Sequence, residues 1–151
     1  MYIIIAGGDI VGKSLTKSLV KGHDVVVIDQ DYENCEKIAS SYGAVVVQGD
    51  PTNINTLREA GIEKCDFAIG VMGRDSQNLL FSLLCNNFEV ENIFVHMRDP
   101  EYRTAYRLAG ATNIGNSVQM MVDKFVLDIE NPDIRRVISL SNGKAEVSII
   151  T

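Results

Sequence analysis

YIIIAGGDIVGKSLTKSLVKG, residues 2–22, is the stretch that decides the fold. Tyr2–Ala6 carries no charged or amide side chain, so the run reads as a strand buried on both faces, the signature of a parallel sheet. Two glycines break it at once. From about Ile10 to Lys21 the pattern becomes helical, with Gly22 placed to end the helix. A strand that turns over glycines into a helix aims the helix's unpaired N–H groups at the turn, where an anion is favoured.

The same unit repeats downstream. Val25–Ile28, Ala44–Val47, Phe67–Met72, Ile93–Met97 and a short run at Thr112–Ile114 read as further strands, rich in β-branched residues. Between them, Tyr32–Tyr42, Asn53–Ala60, Ser76–Phe88 and Pro100–Ala109 read as helices. Gly22, Gly43, Gly61 and Gly110 each fall between a helix and the next strand, the punctuation that repeated right-handed crossovers require. The predicted fold is α/β: a Rossmann-type, doubly wound parallel sheet over residues 1–131.

Two segments follow. Asn116–Glu130 places Val118, Met121, Val122, Phe125, Val126 and Ile129 on one helical stripe, widened by Met120 and Leu127. The stripe suits either a helix closing its own domain or one packing on a second subunit. After Pro132, Arg136–Leu140 and Lys144–Ile150 flank Asn142-Gly143, a hairpin signal. Two strands alone are marginal in water, so residues 132–151 read as a linker and the start of a further domain.

The loop chemistry points to a nucleotide. The dinucleotide fingerprint sets three glycines at spacing G-x-G-x-x-G, followed about 20 residues on by an acidic residue for the ribose. Here Gly7 and Gly12 hold the outer positions, and Asp29 lies 22 residues after Gly7. Asp31 beside it, with no basic neighbour, favours a ribose without a 2′-phosphate. The middle position is Asp9, whose carboxylate crowds and repels phosphate.

Composition removes several classes. The chain has 151 residues, a net charge of −6 and no Trp, and lacks a basic stripe, so nucleic acid is not the expected partner. Its apolar runs are too short for a membrane span, which excludes direct insertion. Cys35, Cys65 and Cys85 are isolated thiols without metal-ligand spacing, and no metal site is expected. His23 reads as a solvent-facing turn residue. His96 with Ser76 and Ser82 makes no credible triad, and no room remains for a substrate domain, so the expectation is no catalytic residues and no enzyme.

The sequence resembles the N-terminal nucleotide-binding domain of the Trk/Ktr and RCK potassium-transport regulators. The resemblance covers essentially the whole chain and is carried by MYIIIAGGDIVG, VVVIDQD, VVVQGDPTNINTLREAGIEKCDFAIGVMGRDSQNLL and RDPEYRTAYRLAGATNI. It implies a cytoplasmic regulatory subunit or domain at the inner face of the membrane. Such domains assemble as dimers or rings beside a potassium transporter or channel, and nucleotide occupancy alters the ring. On the matching positions, Gly7, Gly8, Asp9, Ile10 and Val11 would face the phosphates and Asp29 and Gln30 the ribose. Asp50, Pro51 and Thr52 would face the adenine, and Met72 and Gly73 the opposite wall.

Three positions depart from the family pattern, all at the phosphates: Asp9 replaces glycine, Ile10 a polar or arginine residue, and His96 arginine. The expected ligand is therefore NAD(H) or another adenine nucleotide (AMP, ADP or ATP), or none if these changes abolish binding. Two alternatives stay open: a structural oligomerisation module with a degenerate site, and an oxidoreductase cofactor domain.

Overall fold

A computed structural model gives the structure, which describes residues 1–131 and 133. Residues 1–115 form one compact unit; the rest belongs to a second. In chain order the elements are β1 (Tyr2–Ala6), α1 (Ile10–Leu19), β2 (Asp24–Asp29), α2 (Tyr32–Tyr42), β3 (Val45–Gln48) and α3 (Ile54–Glu59). They continue with β4 (Phe67–Gly70), α4 (Asp75–Asn87), β5 (Asn92–His96), α5 (Arg103–Leu108), β6 (Asn113–Gly115) and α6 (Ser117–Glu130).

The six strands are ordered β3-β2-β1-β4-β5-β6, and every neighbouring pair is parallel. This is the doubly wound order, whose direction of winding reverses between β1 and β4. At that switch point Ala6 is level with Gly70, and Asp29 on β2 is level with Gln48 on β3.

The unbroken apolar strands serve two cores. On β1, Ile4 and Ala6 face a cluster containing Val26, Ile28, Ala68, Phe81, Ile93 and Tyr106. Ile3 and Ile5 face the other, with Val25, Val27, Ile38 and Ile69. Strand alternation sends successive residues to opposite faces, so a strand covered twice has no polar position to spare. Each such isoleucine contributes about 1.5–3 kcal/mol.

The expected element order holds, but several boundaries move. Gly43, Gly61 and Gly110 adopt the left-handed conformation, whereas Gly22 does not end its helix. There α1 stops at Leu19, and the Gly22 N–H closes a turn onto the Leu19 carbonyl that needs no left-handed residue. The segment from Pro100 starts as a 3-10 turn, Pro100–Tyr102, capped by the Asp99 carboxylate, and becomes α-helical only at Arg103. Another unforeseen 3-10 turn, Ile62–Lys64, leads into β4.

In the second unit, Asn116 caps α6 by accepting the Gln119 N–H at 3.1 Å. All six stripe residues from Val118 to Ile129 have exposed side chains. The helix ends at Glu130 with Asn131 at its C-cap, and the expected hairpin lies outside the described residues.

Candidate functional site

Every residue singled out from the glycine loop, β2, β3 and β4 comes to the carboxyl edge of the sheet around the switch point. Gly7 adopts φ +110°, a conformation that disfavours any side chain. Its N–H donates to the Ile28 carbonyl at 2.9 Å. A Cβ at Gly7 would lie 2.9 Å from the Val71 carbonyl oxygen and 3.1 Å from the Met72 nitrogen. The loop after β1 and the loop after β4 therefore touch backbone to backbone, which puts Met72 beside the glycine loop, with Gly73 following it in the chain. Gly12 is more constrained, because a Cβ there would fall on the Gly7 carbonyl oxygen.

Asp29 is tied to the loop directly. Its Oδ2 accepts the Gly8 N–H at 2.6 Å and, more weakly, the Asn34 side-chain amide at 3.5 Å, while Oδ1 accepts the Asp31 N–H at 2.7 Å. A carboxylate has about four acceptor sites, so a hydroxyl can still be received. In the loop after β3, Asp50 accepts both the hydroxyl (2.7 Å) and the N–H (2.8 Å) of Thr52. Those two bonds outweigh partial burial and hold its carboxyl below the usual range. Gln30 bridges the two strands, receiving the Gln48 side-chain amide on its carbonyl at 3.3 Å.

The three departures lie at the start of α1 and the end of β5. Asp9 occupies the N-cap position of α1 yet makes no side-chain cap, so its carboxylate is left facing solvent. Ile10 is 76% exposed, an apolar side chain at a helix N-terminus that favours anions. His96 ends β5; burial and then the nearby Arg98 charge push its imidazole below the ordinary value, against the pull of Asp75.

A buried polar brace behind this edge was not foreseen in its details. The Asn78 side chain accepts the Met72 N–H at 2.9 Å and donates to the carbonyls of Met72 (3.2 Å) and His96 (3.1 Å). Asp75, at the start of α4, accepts the Arg98 N–H (3.0 Å), the Asp99 N–H (2.9 Å) and the Tyr106 hydroxyl (2.7 Å). Together they pin the loops after β4 and β5 to α4 and α5. A D-x-x-N pair opening a helix after a strand was the available signal, but, Met72 apart, its partners lie 18 to 31 residues away. Ser82 is likewise committed, donating to the Asn78 carbonyl at 2.8 Å.

The profile of the TrkA-N domain family matches residues 3–117. A Trk system potassium uptake protein TrkA homolog of Methanothermobacter thermautotrophicus is 30% identical over 148 residues, 97% of this chain and 68% of that protein. Another, from Archaeoglobus fulgidus, is 37% identical over 102 residues, 68% of this chain and 23% of its own length. The chain thus spans under a quarter of the second relative. Among solved structures, the Shewanella denitrificans Kef CTD in its AMP-bound form superposes with a TM-score of 0.72 at 16% identity. That superposition covers 95% of this chain and 89% of the other and speaks to the fold alone. The chain belongs to the TrkA-N domain family.

Proposed function

We propose that this chain is the nucleotide-sensing part of a potassium-transport regulator, working by ligand-dependent change of shape rather than by catalysis. The carrying observation is the switch point itself, where the glycine loop sits against Val71–Met72 and holds the Asp29 carboxylate through the Gly8 N–H. In this reading Asp29 and Gln30 receive the ribose, and Asp50, Pro51 and Thr52 the adenine edge. Gly7 to Val11, Met72 and Gly73 flank the phosphates. The TrkA relatives carry potassium uptake in their names, and the Kef domain of the same fold is described with AMP; both support the assignment.

An adenine nucleotide with a short phosphate tail fits better than NAD(H). The adenosine side is complete, whereas Asp9, Ile10 and His96 weaken the part of the loop that a pyrophosphate would press against. Thermal unfolding in NADH, AMP, ADP and ATP tests this. A ligand at 100 times its Kd stabilises the protein by about 2.7 kcal/mol, and AMP, which has no pyrophosphate, should do so at lower concentration than NADH. A melt that none of them moves sinks the reading and favours the structural-module alternative, which Asp9 supports.

The partner on the protein side is a second copy of the chain, joined through α6, with a membrane-embedded potassium transporter or channel at the cytoplasmic face. Its exposed stripe includes Phe125 at 56% and Val122 at 47%, and apolar patches of this kind mark interaction surfaces. Replacing both residues with glutamate should convert an oligomer to monomer without lowering the melting temperature of residues 1–115. Light scattering decides; an oligomer that persists removes α6 from the contact.

A further inference from the structure

We infer that Arg74, together with Arg98 in the loop after β5, supplies the phosphate contact that positions 9, 10 and 96 do not, so that the ligand's phosphates lie over the β4–β5 side of the switch point. The inference rests on the nucleotide reading above and names the residues that complete it.

Placement comes first. The backbone of Val71 and Met72 is in contact with Gly7, and Arg74 follows Met72 by two residues, a chain reach of about 7 Å at most. It therefore stands within that reach of the Gly7–Met72 contact, at the N-cap of α4, with an exposed side chain.

Arg74 is also unexplained by stability. N-cap positions favour Ser, Thr, Asp or Asn, which accept the helix's first N–H groups. Arginine has no acceptor, and its side chain caps nothing here. A cation at a helix N-terminus also opposes the macrodipole. No ion pair among the described residues occupies it. A positive charge that the helix would rather lack, held at the mouth of the site, has a use only when an anion arrives.

Charge distribution gives the third line. On the β1–β3 side of the edge stand Asp9, Asp29, Asp31 and Asp50, with Lys13 committed to the Asn34 side chain at 3.2 Å. On the β4–β5 side stand Arg74 and Arg98, and the two aspartates among them are engaged. Asp75 is consumed by Tyr106 and the two backbone N–H groups, and Asp99 caps the 3-10 turn that follows. Arg98 lies close enough for its charge to act on both Asp75 and His96. An uncharged adenosine with donor hydroxyls matches the acidic half, and its phosphates match the basic half.

Calorimetry with ADP and with adenosine tests this on the wild-type protein and on Arg74→Gln, Arg74→Lys and the Arg74→Gln/Arg98→Gln double variant. Arg74→Gln should weaken ADP about tenfold and leave adenosine unchanged. Arg74→Lys should keep most of the ADP affinity, and the double variant should bind ADP no better than adenosine. Neither side chain packs in the core, so all should melt with the wild type. ADP binding unaltered by Arg74→Gln, or wild-type protein that binds adenosine and ADP equally, overturns the inference alone. Wild-type protein that binds neither overturns the nucleotide reading and takes the inference with it.

Discussion

Replacing Asp75 with alanine should lower the unfolding free energy by about 3–5 kcal/mol and the melting temperature by roughly 10–20 °C. The carboxylate is 9% exposed and serves three donors from two other elements. Hydrogen bonds to a charged acceptor contribute about 1.5–3 kcal/mol each. Truncation also strands the hydroxyl of Tyr106, a fully buried residue, leaving it only the weaker 3.2 Å bond to the Asp75 carbonyl.

The pH dependence of this effect has a definite sign. Burial opposes ionisation of Asp75, but the Tyr106 hydroxyl, the two N–H groups and the Arg98 charge outweigh it and hold the carboxyl below its ordinary value of 3.8. A depressed native value means that the stabilisation is complete above the unfolded value and lost as pH falls through the native one. Urea titrations should therefore show a constant gap between wild type and Asp75→Ala at pH 5 to 7, narrowing below pH 3.8. A gap that persists undiminished at pH 2 would show that the variant suffers from a cavity and not from a lost anion.

Replacing Asp9 with glycine should tighten ADP and NADH about ten- to thirtyfold while leaving adenosine where it is. Two unit charges a few ångströms apart near a surface repel by a few kcal/mol at most, and solvent around the exposed carboxylate cuts this to about 1–2 kcal/mol. Stability should barely move. The side chain makes no cap bond, and exchanging a good cap for glycine costs only a few tenths of a kcal/mol even where the bond exists. The variant therefore separates the electrostatics of the loop from its geometry. Equal affinity in both proteins would mean that the exposed Asp9 carboxylate turns away from the phosphates.

The fold could be read from the chain because its signals were local. Five unbroken apolar residues before two glycines give β1 and its turn, and the runs around Val25 and Ile93 give strands covered on both faces. Asp29 was legible because its distance from Gly7 is set by one crossover. Less local features escaped. The end of α1 depended on a turn bond to Leu19, and Pro100 opens a 3-10 turn because Asp99 caps it there. The brace at Asp75 and Asn78 joins residues that only the sheet order brings together. Arg74 escaped for another reason: in sequence it is one more surface arginine, and its position turns significant only when the loop after β4 is seen against Gly7.

The strand order also has a consequence in time. β1 is central, and its second partner, β4, is not complete until Gly70. At about 5–20 residues per second, a ribosome takes roughly 1–4 s to go from Gln48, the end of β3, to Gly70. Through that interval the nascent β1–β2–β3 half presents the bare backbone edge of Tyr2–Ala6, four of whose residues are apolar and bound for burial. Unpaired strand edges of this kind recruit other chains. The edge that β4 later covers is thus an adhesive surface of the newborn chain, and the switch point comes into being at the moment that surface disappears.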